Sequence, residues 1–377
     1  MKTWDVIIVG GGIIGLSLSI ALRKRGANVL VVERGEPGRE ASHAAGGMLV
    51  DCPLETPAAL QELATASACM YPEFVHELEV ESGMKVDLRE YGTILFPAAE
   101  HLRNAQPGTI ALDSDHVRER EPEIAQLNPD QARAFEEAEA KPSGRFPSGS
   151  YCGEAFYLKE RSVDPRALTA AAVKAAKHRG VDFSSGDEVI GVETEHGSEI
   201  GVKTSNTVFA ARRVVNCAGA WAGAIGPYAM PTRPVKGQML CLVMPSRSLI
   251  KHVIRSPSAY LIPRSDGRLL VGATVEEAGF EKRTDPDTIQ RLHKSALALV
   301  PKLAEARILE DWAGLRPGTP DALPILGATP IPDYFVATGH FRDGILLAPI
   351  TAQIMADVIE GRNPAYDLKA FSPARFG

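Results

Sequence analysis

The sequence predicts an α/β protein of two units. One is built on a parallel, dinucleotide-binding sheet that the chain leaves and re-enters; the other is built on a mainly antiparallel sheet. Three observations carry this prediction. The first thirty-odd residues read strand, glycine turn, helix, strand. From Pro231 to Leu309 the apolar residues take period-2 spacing between turns, as in Met239–Met244, Ala259–Pro263 and Leu269–Ala273 after Ser265-Asp266-Gly267. A last strand ending in glycine, Asp333–Gly339, precedes a helical stretch from Gly344 to Ile359, far from the first such unit. The dinucleotide unit is therefore discontinuous and Rossmann-like. Its expected segments are 1–84, 150–221 and 322–377, and the substrate unit takes 85–149 and 222–321.

Each position of the opening stretch answers a physical need. Trp4 to Val9 is a run of β-branched residues suited to a buried strand, and Val29 to Val32 is a second one ending on Glu33. Gly10 permits a sharp turn, Gly12 lets the backbone approach a pyrophosphate, and Gly15 lets helix and strand pack closely. Ile13 and Ile14 complete the helix N-terminus, whose positive end suits an anion. Glu33 comes 18 residues after Gly15, where a carboxylate can accept from a ribose diol. An acid there favours NAD or FAD over NADP, and the βαβ unit leaves those two open.

Composition narrows the class. At 377 residues there is room for two cores, and 45% hydrophobic with 23% charged residues is ordinary for a globular protein. The net charge of −6, without a Lys/Arg cluster, speaks against nucleic acid as a partner. Cys52, Cys69, Cys152, Cys217 and Cys241 show no metal spacing and read as free thiols of a reducing cytoplasm. No histidine pair suggests a metal. The first strand begins at once, without a signal peptide, and no apolar run reaches a membrane span. A cytoplasmic location follows as an expectation.

Between the landmarks, Ala41-Ser42-His43-Ala44-Ala45-Gly46-Gly47-Met48 is too rich in small residues to build a core, and suits backbone lying against something flat. Thr56 to Glu81 reads as helix, Gly92 to Phe96 as strand, and Asp113 to Asp115 as a helix start. Lys141 to Gly149, rich in Pro, Gly and Ser, reads as a linker between units. Asp164 and Pro165 suit the N-cap and first turn of an alanine-rich helix closed by Gly180. Strands are expected at Val189–Glu193 and Val202–Thr204. Another, Arg213–Cys217, runs into Ala218-Gly219-Ala220-Trp221, a second place fit for close approach by a cofactor. Thr288 to Val300 reads as helix.

Taken together, these stretches resemble the FAD-dependent amine and amino-acid oxidases of the D-amino-acid oxidase group, most closely its glycine oxidases of bacterial thiamine biosynthesis. The resemblance covers nearly the whole length. It rests on Val9–Gly15, Ala44–Leu49, Val215–Trp221, Pro234–Gln238, Tyr260–Arg264, Val271–Thr274, Trp312–Thr319 and Gly339–Pro349. The last two belong to the amino-acid oxidase side of the group, and the whole set favours FAD over NAD.

The resemblance implies individual roles. Arg316 would bind the substrate carboxylate through its guanidinium fork. Tyr260 would add a hydrogen bond there, and Arg342 would lie over the substrate or near the flavin. Glu33 and Arg34 would meet the adenosine ribose, Val189 the adenine, and Ala41, Ser42, Ala218 and Gly219 other parts of the cofactor. Gly46, Gly47 and Met48 would run along the isoalloxazine. The backbone of His340, Phe341, Arg342, Asp343, Gly344, Ile345 and Leu346 would face its pyrimidine carbonyl. His43 stands where the family often has an aromatic residue. The histidine that attaches FAD covalently in some relatives would fall on Ala44, so noncovalent FAD is expected. Expected partners are a small amino acid or amine and dioxygen, with assembly as a homo-oligomer. The implied reaction moves a hydride from the α-carbon to flavin, giving an imino acid, then the α-keto acid, ammonia and hydrogen peroxide; glycine would yield iminoglycine for the thiazole of thiamine. Alternatives on the same scaffold are a D-amino-acid dehydrogenase, a sarcosine- or proline-type oxidase, and a noncatalytic flavin-binding subunit.

Overall fold

A computed structural model describes residues 3–53, 55–96, 109–125, 155–194 and 200–376 of the chain. The expected linker Lys141–Gly149 and Cys152 lie outside the described residues. β1 (Trp4–Val9) and β2 (Val29–Glu33) run parallel, joined by α1 (Ile13–Lys24). Strands covered on both faces need continuous apolar runs, and Val6 to Val9 and Val29 to Val32 are all buried. α1 buries Ile13, Leu16, Leu18, Ile20 and Leu22. Truncating the fully buried Leu16 to Ala would cost about 2–5 kcal/mol.

The chain continues through α2 (Ala41–Ala44), β3 (Met48–Leu49), α3 (Gln61–Ser82), β4 (Leu88–Arg89), β5 (Thr93–Leu95), β6 (Thr109–Leu112) and α4 (Ser114–Arg120). Next come β7 (Ala155–Leu158), β8 (Arg161–Val163), α5 (Pro165–His178), β9 (Asp182–Ser185), β10 (Val189–Thr194), β11 (Ile200–Thr204) and β12 (Val208–Asn216). The remainder holds β13 (Arg233–Val243), β14 (Val253–Arg255), β15 (Tyr260–Pro263), β16 (Arg268–Gly272), α6 (Pro286–Leu299) and β17 (Arg307–Gly318). β18 (Ile325–Ala328), β19 (Tyr334–Thr338) and α7 (Ala348–Ile359) follow.

The first sheet runs β10-β11-β12-β1-β2-β9, with β19 also on β12 and β18 on β19. Its centre is parallel, including the β12–β19 pair that brings the C-terminal segment beside the first strand. The second sheet runs β17-β13-β16-β15-β14-β5-β7-β6 and is antiparallel except where β14 meets β5. A small sheet, β3-β8-β4, ties the flavin-loop candidate at Met48 to the start of α5.

Strand pairing shifts two sequence expectations. β7 (Ala155–Leu158), expected in the first unit, pairs with β5 and β6 of the second sheet. β4, expected in the second unit, pairs with β8. The final helix starts at Ala348 and not at Gly344. Pro349 sits in its first turn, where the missing N–H breaks no ladder bond. Asp164 does cap α5, accepting from the Arg166 and Ala167 amides with Pro165 in the first turn. Asp285 caps α6 in the same way, accepting from Thr288.

Candidate active site

A cavity of about 610 Å³ is lined by residues of both large sheets, within the size range of small-molecule sites. At one end stand Gly10, Gly12, Ile13 and Ile14. Gly10 has φ +107°, and a Cβ there would lie 2.5 Å from the Cys217 carbonyl oxygen. Only glycine fits. Gly12 caps α1 without a side chain, and Ser42 Oγ takes the Ile13 amide at 2.9 Å. Gly15 does not line the cavity: a Cβ on it would collide with the Gly10 carbonyl, so its place is helix–strand packing. Glu33 is buried at the end of β2, with its two carboxylate oxygens accepting from Gly11 (2.8 Å) and Gly35 (3.0 Å). A carboxylate has about four lone-pair sites, which leaves two for ribose hydroxyls. Arg34, Ala41, Val189, Ala218 and Gly219 line the same region. This cradle of glycines, a helix N-terminus whose N-cap residue has no side chain, and a held carboxylate fits an adenine dinucleotide.

The middle of the cavity is walled by Gly46, Gly47 and Met48 on one side and by His340 to Ile345 on another. Gly47 has φ +76°, and a Cβ would strike the Val163 carbonyl and the Pro165 ring. Arg264, fully buried, donates to the Gly46 carbonyl at 2.5 Å and holds this loop. The late turn is braced from α3, where Tyr71 donates to the Ile345 carbonyl and Ser67 to the Leu346 carbonyl at 2.6 Å. Leu346 faces this brace and lies outside the cavity lining. His340 Nε2 meets Thr351 Oγ1 at 3.1 Å, and burial pushes the imidazole pKa down to about 3, so it is neutral.

The third region belongs to Arg316 and Tyr260. Arg316, on β17, donates from Nη1 to the carbonyls of Lys236 (3.3 Å) and Thr274 (3.1 Å), and its guanidinium lies flat over Gly237 on the neighbouring strand. Burial lowers its pKa; the nearby Tyr260 phenol opposes that and Arg342 adds to it. A guanidinium stays charged under such shifts. Burial raises the Tyr260 pKa against the pull of Arg316, so the phenol keeps its proton. Gly272, paired with Tyr260 on β15 and Met239 on β13, has no side chain to separate them, and Tyr260 Oη reaches Met239 Sδ at 3.3 Å. Arg342 is exposed, with its guanidinium 5.2 Å from the Phe341 ring.

Several lining residues were given no role of their own by the sequence, although some lie inside the stretches that carry the resemblance. Gly237, Gly272 and Gly314 interrupt strands where side chains or backbone come close; a Cβ on Gly314 would strike Ala44. A glycine inside a strand is the signal that could have found them. Arg255 pairs with Glu55 and with Glu160 (2.8 Å), and Thr93 Oγ1 adds a bond to Glu160. Asp343 lines the cavity, and burial raises its carboxyl to about 6, with Arg342 opposing and Glu55 reinforcing.

The FAD dependent oxidoreductase (DAO) family matches residues 5–358, and the chain belongs to it. Among similar proteins, the bifunctional protein ThiO/ThiG of Synechocystis is 35% identical across 99% of this chain and 54% of its own length. The chain thus spans about half of that relative. Glycine oxidase of Geobacillus kaustophilus is 32% identical, across 99% of this chain and 97% of its own. The crystal structure of that organism's glycine oxidase superposes with a TM-score of 0.88 at 30% identity, covering 100% of this chain and 99% of the other.

Proposed function

We propose that the chain is an amino-acid oxidase that converts glycine, and other small amino acids or amines, to the imino acid. The imino acid hydrolyses to the α-keto acid and ammonia, and dioxygen becomes hydrogen peroxide. The observation that carries this reading is the half-buried Arg316 guanidinium beside the Tyr260 phenol, facing a cavity whose other end is the dinucleotide turn. A guanidinium held by two carbonyls is preset for a carboxylate. The likeness to glycine oxidases and to ThiO/ThiG favours glycine as substrate and a place in thiamine synthesis.

Bound FAD supplies the two-electron acceptor. The chain's own residues orient the substrate: Arg316 anchors the carboxylate, Tyr260 donates a second hydrogen bond, and the anchoring selects which α-hydrogen faces the flavin. Gly10, Gly12, Ile13 and Ile14 would hold the pyrophosphate, Glu33 a ribose and Val189 the adenine. Gly46 to Met48 and His340 to Ile345 would flank the flavin. Neutral His340 adds no charge beside it. Attachment is noncovalent in this reading. Ala44 packs against Gly314 where a linking histidine would stand, and burial raises the Cys217 thiol far above physiological pH. Among the described residues no helix is long and apolar enough to cross a membrane. A cytoplasmic homo-oligomer is part of the same proposal, read by sedimentation and fractionation. The test of the reaction is anaerobic mixing with glycine, sarcosine, D-alanine and D-proline. Bleaching of the yellow protein followed by peroxide on admitting oxygen supports the reading, and dye reduction without peroxide would make it a dehydrogenase.

A further inference from the structure

Residues 276–285, between β16 and α6, are pinned at both ends to the second sheet. Glu276 and Lys236 exchange backbone bonds at 2.9 Å, and Arg233 Nε meets Glu277 at 3.2 Å. At the far end Thr284 Oγ1 donates to Asp311 at 2.5 Å and the Asp285 amide to Gln238 at 2.7 Å. Only the middle reaches across to the first unit. There Phe280 stacks on Trp221, with ring centroids 5.3 Å apart and planes at 28°. Lys282 Nζ meets both Glu40 oxygens, at 3.0 and 3.1 Å.

These two contacts close a ring. The Arg34 guanidinium lies 3.5 Å from the Trp221 ring centroid, and Arg34 Nη2 donates to Glu40 at 2.6 Å. The circuit Phe280–Trp221–Arg34–Glu40–Lys282 therefore begins and ends on the same short segment. Arg34, Glu40 and Trp221 line the cavity, at the end where Glu33 and Val189 stand. Phe280 and Lys282 do not line it; they brace the residues that do. Both are roughly half exposed, which makes them poor folding contacts. Exposed pairs are individually weak and salt-sensitive, so the ring can open.

We propose that residues 276–285 are a clasp over the adenosine end of the bound dinucleotide, with Phe280 and Lys282 as positioning residues that set how fast the cofactor leaves. The inference rests on placing the adenosine at the Glu33 end. Opening the ring frees Arg34 and Trp221 to swing out, which exposes that end of the cavity to water.

The test follows FAD release from the holoenzyme, by recovery of FAD fluorescence after dilution into a trap for free FAD. Phe280→Ala should speed release roughly two- to tenfold, the range of one aromatic pair, and Phe280→Tyr should restore it. Lys282→Met should speed release up to about fivefold. It should also remove part of the acceleration that the wild type shows when salt is raised to ~0.5 M. The visible flavin spectrum should stay the same in every variant. Release rates and salt slopes equal to wild type would overturn the clasp, and a shifted flavin spectrum would show that the flavin lies at this end. Should Phe280→Ala fail to fold, the salt slope of Lys282→Met decides alone. Failure of glycine to bleach the flavin would remove the substrate reading and leave these release rates meaningful.

Discussion

Gly237 lies under the guanidinium that is proposed to hold the substrate. A Cβ there would sit 2.5 Å from Arg316 Cζ and nearer still to both terminal nitrogens. Ordinary contact begins near 3.5 Å, so the guanidinium must move by about 1 Å. It is the end of a flexible side chain, and Gly237 does not need a positive φ, so Gly237→Ala should fold and keep its FAD. The displaced fork would no longer match the carboxylate while its substrate's α-carbon stays over the flavin. A misplacement of that size costs about 100-fold, or about 2.7 kcal/mol of transition-state stabilisation. Stopped-flow flavin reduction by glycine reads this as a loss in the second-order rate constant, with the FAD content measured alongside. A rate within about threefold of wild type, at full FAD loading, would refute the argument that this guanidinium's position governs catalysis.

Other outcomes follow from neighbouring geometry. Gly47→Ala must fit φ +76° and a collision with the Val163 carbonyl, both set by backbone, so this variant should purify largely without FAD, as the ratio of absorbance at 450 to 280 nm (roughly zero) would show. Arg255→Met leaves Glu160 buried beside Thr93 without its cation and should lower unfolding stability by about 3–5 kcal/mol. Burial already raises the Glu160 pKa against Arg255, so the loss should shrink as pH falls and the carboxyl takes a proton; a loss that stays unchanged as the solution is taken from neutral to acid would contradict it. Asp343, raised from 3.8 to about 6, is held best in its protonated form, so its contribution is complete below about pH 4 and is lost as pH rises through 6. Wild type should therefore lose up to about 3 kcal/mol relative to Asp343→Asn over that window in urea titrations, and parallel curves would count against it.

The opening βαβ was legible because each of its positions answers a backbone requirement that few residue types meet. Gly10 and Gly15 are forced by atoms within a few residues or on the next strand, and Asp164-Pro165 caps a helix locally. What stayed hidden depends on distant partners. β17 carries Arg316 yet shows no alternation of buried and exposed residues, because its strand character comes from pairing along its whole length with β13. Glu55, Glu160 and Arg255 are lone charges in sequence and become one cluster only when β7, β14 and the loop after β3 meet. Gly344 reads as helical by composition, yet the turn at 344–347 is held by α3 side chains that no local window contains.

Anaerobic titration of the yellow protein with glycine, run beside Arg316→Met, tests the central claim most directly. The account predicts full bleaching of the wild type, peroxide on admitting oxygen, and at least about 30-fold weaker bleaching in the variant, the lower bound for truncating one partner of a buried charge pair. Bleaching that is equal in the two proteins, or absent with every small amino acid offered, would contradict it.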